Sequence, residues 1–263
     1  MQTVRSKDGT TIAFDQSGSG PAMILVGGAL TERSAGAPLA ALLAPHFTVI
    51  SYDRRGRGDS GDTAPYAVER EIEDIAALIE EAGGSAFIYG KSSGAALTLE
   101  AANHGLAIPR LALYEPPFIV DATRPMLPSD YVEHLTELVA AGRRGDAVEY
   151  FMAQAVEVPA EMLAHMRQSP LWSAMEQLAP TLLYDDAVMG GAMAGKPLPA
   201  RRWAAVTMPT LVMDGGASPT WMHNAARAVA DALPNAQRRT LAGQTHAVMP
   251  DVLAPILVEF FAD

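Results

Sequence analysis

A glycine-bracketed serine between a strand and a helix restricts this chain more than any other feature. Ala86-Phe87-Ile88-Tyr89 is a short apolar run of strand type, Gly90-Lys91-Ser92-Ser93-Gly94 follows it directly, and Ala95-Ala96-Leu97-Thr98-Leu99 opens a helix of small residues. A chain that passes from strand to helix in so few residues must bend sharply, and the glycines stand where side chains would collide with the neighbouring elements. The bend lifts Ser92 into the open at the end of its strand. The start of the next helix adds N–H donors and a positive dipole end, which suits a developing oxyanion. Ser92 is therefore the candidate nucleophile; Ser93 offers a second hydroxyl, but the spacing to both glycines centres Ser92.

The rest of the chain supplies the sheet such a bend needs. Ala22–Val26 and Phe47–Tyr52 are apolar runs too short for helices and read as buried strands. Val68–Ala82 places Ile72, Ile75, Leu78 and Ile79 on one face and stops at Gly83-Gly84, the pattern of an amphipathic helix. Its acids, Glu69, Glu71, Glu73, Asp74, Glu80 and Glu81, are expected on a solvated face. Strand, helix and strand in succession specify parallel strands with helical crossovers. Arg110–Tyr114, Thr210–Met213 and Arg238–Leu241 continue the strands, Trp221–Leu233 and Val248–Phe261 the helices, and Thr3–Asp15 reads as a hairpin turning at Asp8-Gly9. The expected fold class is α/β, a mostly parallel central sheet with helices on both faces. Between Pro117 and Arg202 the strand signal disappears and helical patterns replace it, after a Ser129 N-cap, after Asp146 and over Leu171–Leu183. Residues 1–116 and 203–263 are expected to form the core, and 117–202 a helical cap inserted after the sixth strand.

Composition narrows the chemistry. With 49% hydrophobic and 19% charged residues the chain buries a large core. A formal net charge of −11 repels phosphate backbones and anionic lipid, so neither nucleic acid nor membrane is expected as a partner. Cysteine is absent, which excludes thiolate nucleophiles, disulfides and thiolate metal sites. No H-E-x-x-H or similar cluster occurs, so no metal and no cofactor are expected. The polar start and the lack of a long apolar run lead to the expectation of a cytoplasmic protein, monomer or homodimer.

A serine hydroxyl needs a base, and imidazole titrates in the right range. Of the six histidines, His246 lies in Leu241-Ala242-Gly243-Gln244-Thr245-His246, a loop between the last strand and the last helix. Strand carboxyl ends open on one edge of a parallel sheet, so that loop can face Ser92. His104 adjoins a helix end at Gly105, and His134, His165 and His223 fall inside helices, where capping or surface roles are expected.

The bend at Ser92, the run Tyr52-Asp53-Arg54-Arg55-Gly56-Arg57-Gly58-Asp59-Ser60, the turn Gly27-Gly28-Ala29 and the late histidine loop together resemble the α/β-hydrolase superfamily over nearly the whole chain. The resemblance implies an oxyanion hole made by the backbone N–H groups of Ala29 and Ser93, and a structural role for the Asp53–Ser60 loop. It also exposes a departure. Relatives carry the third triad member shortly after the seventh strand, before a proline; here Ser218 stands before Pro219. Two carboxylates compete for the role: Glu115, at the end of the preceding strand where certain dehalogenases carry their acid, and Asp214, at the end of the seventh strand. A site with neither is the third alternative. The residue before the nucleophile points down beside the bend in relatives, so Lys91 calls for a carboxylate neighbour or a route to water.

The resemblance implies hydrolysis of a carboxylic ester, lactone or related acyl bond through an acyl-enzyme on Ser92. An acyltransferase, lyase or cyclase on the same apparatus is the alternative, and a non-catalytic ligand-binding protein a third. The expected partner is an apolar, medium-sized small molecule with an acyl group. Gly28, Lys91, Met152 and Trp172 are the candidate substrate-binding residues. The cap is rich in methionine, adaptable to irregular ligands, although methionines at helical spacing also serve as core.

Overall fold

The computed structural model describes residues 1–262. Eight strands form one sheet: β1 (Gln2–Arg5), β2 (Thr11–Ser17), β3 (Ala22–Val26), β4 (Thr48–Tyr52), β5 (Phe87–Lys91), β6 (Leu111–Tyr114), β7 (Thr210–Gly215) and β8 (Ala236–Leu241). Their order is β1-β2-β4-β3-β5-β6-β7-β8. The hairpin strands β1 and β2 are antiparallel, β2 joins β4 antiparallel, and the remaining neighbours pair in parallel.

The helices of the core are α1 (Ala37–Leu43), α2 (Val68–Glu81) and α3 (Ser93–Asn103). Between β6 and β7 come α4 (Tyr131–Ala140), α5 (Arg144–Gln154), α6 (Ala160–Met166), α7 (Leu171–Leu178) and α8 (Leu182–Met189), and the chain closes with α9 (Thr220–Ala232) and α10 (Pro250–Ala262). No helix among the described residues is long and apolar enough to cross a membrane.

The apolar strand runs are continuous because both faces of the sheet are covered. Along β3, Ile24 and Val26 join Ile75, Leu97 and Val229 on the face carrying α2, α3 and α9. Met23 and Leu25 join Leu43, Leu257 and Phe261 on the face carrying α1 and α10. Period-two alternation thus feeds two cores from one strand. A third, smaller core lies inside the insertion, with Tyr131, Leu135, Val148, Trp172 and Leu182 at its centre. Helix α8 faces the other way as well, since Val188 and Met189 pack into the main core beside Trp203.

Several expectations are corrected. The pattern over Leu171–Leu183 is two helices, because Pro180 lacks an N–H and forces a 3₁₀ turn at Ala179–Thr181 between them. Helix α10 begins at Pro250 instead of Val248, proline being favoured at the first helical position. Asp130, not Ser129, precedes α4, and its side chain makes no capping bond. Glu71 and Asp74 are buried, not solvated, because Arg54 and Arg55 reach them from the loop after β4.

Candidate active site

The bend at Ser92 is set by three close approaches. Ser92 holds φ 57 and ψ −130, a left-handed backbone that side chains rarely adopt. Its N–H donates to the Tyr114 carbonyl at 2.9 Å, tying the bend to the end of β6. A Cβ on Gly94 would drive into the carbonyl oxygens of Val26 and Gly27, and one on Gly90 would lie 2.7 Å from the Gly94 oxygen. Both glycines are therefore required by packing between strand and helix. Gly28 completes the set, since a Cβ there would meet the Ser92 Cβ at 2.8 Å. The turn after β3 thus lies directly against the serine.

Glu115, immediately after β6, also has a left-handed backbone with φ 45 and is fully buried. Its N–H donates to the Met213 carbonyl at 3.0 Å, which fixes the backbone across to β7. One carboxylate oxygen accepts the Gly215 N–H at 2.8 Å, and the other accepts from His246 Nδ1 at 2.7 Å. Burial pushes the Glu115 carboxyl up, but the hydrogen bonds from His246 and from the Gly215 amide help to outweigh it, and the group is held below its ordinary range. An ionised carboxylate has no proton to give, so Nδ1 carries the hydrogen of this bond. The His246 loop is pinned from behind by the Tyr114 hydroxyl, which donates to the Thr245 carbonyl at 2.6 Å. Gly215 lets that loop approach, because a Cβ there would strike the Gln244 carbonyl.

Of the two carboxylates the sequence leaves open, the structure brings Glu115 and not Asp214 to His246. Asp214 is fully buried and faces the other way: it accepts from Arg238 at 2.8 and 2.9 Å and from His223 Nδ1 at 2.5 Å. That places it, with His223, in a clamp between β7, β8 and α9. Asp214→Asn is accordingly expected to lower stability by about 1–3 kcal/mol, the worth of hydrogen bonds to a charged group, while leaving kcat within about threefold. Urea unfolding and turnover measured side by side would check this, and a loss of activity beyond a hundredfold in folded protein would contradict it.

Lys91 has no carboxylate partner within ion-pair distance among the described residues. Burial pushes its amine below the ordinary lysine range, partly offset by the Glu115 charge. It lines a cavity of about 140 Å³ behind Gly28, with Tyr89, Leu39, Val248 and Leu253. Trp172 is not at the site: it is buried in the core of the insertion, its Nε1 donating to Glu176 at 2.9 Å. Met152 is half-buried against that same core, as are Ala29 and Leu30 from the turn after β3. The other methionines are scattered, with Met126 and Met162 exposed and Met189 in the main core.

The sequence reading missed a buried charge network beneath the site. Arg54 donates to Glu71 at 2.6 and 2.7 Å and to Asp185 of α8 at 2.6 Å, and Arg57 donates to Asp185 at 2.8 Å. Despite burial, which raises it, the two arginines hold the Asp185 carboxyl below its ordinary range. A signal existed: Glu71, Asp74, Ile75 and Leu78 share one helical face, so a buried face containing Ile75 and Leu78 carries both acids inward.

Comparisons with known proteins find the same fold. A model of a family described as the alpha/beta hydrolase family matches residues 23–255. The structure of an alpha/beta hydrolase from Sphaerobacter thermophilus DSM 20745 superposes with a TM-score of 0.93 at 61% identity, covering 99% of this chain and 100% of that one. An enol-lactonase from Burkholderia xenovorans LB400 shares the fold with a TM-score of 0.71 at 23% identity, covering 100% of both chains. The uncharacterized hydrolase YraK of Bacillus subtilis is 33% identical over 96 residues, a match spanning 35% of either chain.

Proposed function

We propose, from the premise that this chain belongs to the alpha/beta hydrolase family, that it cleaves a carboxylic ester, lactone or related acyl bond through an acyl-enzyme on Ser92. The observation that carries the reading is the 2.7 Å bond from His246 Nδ1 to Glu115, on the strand end whose Tyr114 carbonyl accepts the Ser92 N–H. In this reading Nε2 of His246 takes the proton as the Ser92 hydroxyl oxygen attacks the acyl carbon. Glu115 stabilises the imidazolium that forms and stays ionised. The carbonyl oxygen, now negative, is met by the Ala29 and Ser93 N–H groups. Collapse expels the alcohol, which receives the proton from His246, and a water activated by the same imidazole releases the acid.

The chain is taken to act as a cytoplasmic monomer or homodimer on an apolar acyl substrate seated between the turn at Ala29 and the insertion side chains near Met152. Two experiments test this, a covalent labelling and a substrate comparison. A fluorophosphonate should abolish p-nitrophenyl butyrate turnover and add its mass to the tryptic peptide containing Ser92, and butyrate esters should be preferred over succinate half-esters. A label on any other residue, with activity lost, would sink the nucleophile assignment; preference for the charged acyl group would sink the apolar pocket.

A further inference from the structure

We propose that Asp185, carried by insertion helix α8, positions both oxyanion donors, acting on one through Arg57 and on the other through the Ser93 hydroxyl. This rests on the reading of Ser92 as nucleophile with the Ala29 and Ser93 amides as donors.

The first link follows from peptide geometry. The Gly28 carbonyl and the Ala29 N–H are two ends of one planar group, so whatever fixes the oxygen fixes the direction of the hydrogen. Arg57 Nη1 donates to the Gly28 oxygen at 2.6 Å, and the Thr31 hydroxyl donates to the same oxygen at 2.7 Å. A cationic donor on that oxygen also polarises the amide, making its N–H a stronger donor on the opposite side. Arg57 is in turn held by Asp185, Nη2 donating to Oδ2 at 2.8 Å.

The second link is direct. The Ser93 hydroxyl donates to Asp185 Oδ1 at 2.6 Å, and Ser93 is the first residue of α3, whose N–H is the other donor. Arg54 locks the same oxygen at 2.6 Å from a guanidinium that also donates to Glu71 and, at 3.4 Å, to the Ser93 hydroxyl. The carboxylate therefore has one oxygen on each arm, and Asp185, Arg57 and Ser93 are all less than 5% exposed. One arm of the cluster thus ends on the peptide oxygen between Gly28 and Ala29, and the other on the side chain of Ser93, so each touches a residue that supplies one of the two donors.

The test uses Asp185→Asn, Arg57→Lys and Ser93→Ala in the full chain, with p-nitrophenyl butyrate as substrate and an alkyl trifluoromethyl ketone as probe of the tetrahedral oxyanion. Removing a whole oxyanion donor costs about 10²–10³ in kcat, so misaiming one should cost about tenfold to a hundredfold. Asp185→Asn is expected to show that loss in kcat with KM within about twofold, and to weaken ketone inhibition by a matching factor. Arg57→Lys, which keeps the charge but not the fork, should lie between it and wild type. Should Asp185→Asn fail to fold, Ser93→Ala decides, because it leaves both arginine pairs intact: kcat and ketone affinity are expected to fall together by about threefold to tenfold. Folded Asp185→Asn with wild-type kcat, or Ser93→Ala with both quantities unchanged, overturns the proposal. An active Ser92→Ala sinks the nucleophile reading instead, whereas an inactive Ser92→Ala beside a fully active Asp185→Asn sinks only the positioning role.

Discussion

Ser92→Ala is expected to lower kcat for p-nitrophenyl butyrate by about 10⁶-fold, the scale found when a triad serine is deleted, with the protein still folded. In the proposed mechanism this hydroxyl forms the acyl bond, so its loss removes the covalent route and leaves only whatever the oxyanion donors and binding provide. Stability should change little. The left-handed conformation at position 92 is held by the Tyr114 carbonyl and by the close packing at Gly90 and Gly94, and the Cβ that faces Gly28 is kept in alanine. Ser93→Ala, by contrast, should lose no more than about tenfold, because that hydroxyl faces Asp185. Turnover, with circular dichroism as the check on folding, distinguishes the two, and a Ser92→Ala protein retaining more than a few per cent of activity would remove the covalent mechanism.

The second large effect falls on Glu115. An amide in its place can offer its own N–H to Nδ1, favouring the tautomer whose Nε2 carries the hydrogen and cannot accept one. Glu115→Gln is therefore expected to reduce kcat by about 10³- to 10⁴-fold, as the loss of an ionised orienting acid does elsewhere. A drop below tenfold would show that His246 is oriented by something else. Stability carries a second signature. The Glu115 carboxyl is held below its ordinary range in the folded protein, so its ionised form favours folding above the unfolded-chain value. That contribution fades as pH falls through the unfolded and then the folded value. The difference in unfolding free energy between wild type and Glu115→Gln should be greatest near neutrality and shrink below about pH 4, where free carboxylates protonate.

What could be read from the sequence was what local physics determines. Ala86–Leu99 is strand, bend and helix in one stretch, and the glycines at 90 and 94 carry their packing reason in their spacing, so the elbow could be located without coordinates. Strand runs such as Ala22–Val26 were legible because burial on both faces leaves no polar residue to interrupt them. The identity of the acid was not, because Glu115 and Asp214 each end a strand, and only the third dimension shows one turned toward the histidine loop and the other toward Arg238. Asp185 was further out of reach: it meets Arg54 across 131 residues and lies in a segment whose pattern reports only a helix. Trp172 misled for a related reason. A large aromatic ring serves a pocket or a core equally well, and its place inside the insertion depends on neighbours from four helices.

Among the described residues, four that are not glycine hold a left-handed backbone, and three of them, Leu30, Ser92 and Glu115, lie just beyond the ends of β3, β5 and β6. Each such conformation costs about 1–3 kcal/mol, a sum comparable with the net stability of a whole domain. The ladders and cores elsewhere must hold that tension in check, and adjacent strand tips are where it collects. Selection for heat resistance alone would relax those tips first, so ruggedness and turnover pull this molecule in opposite directions.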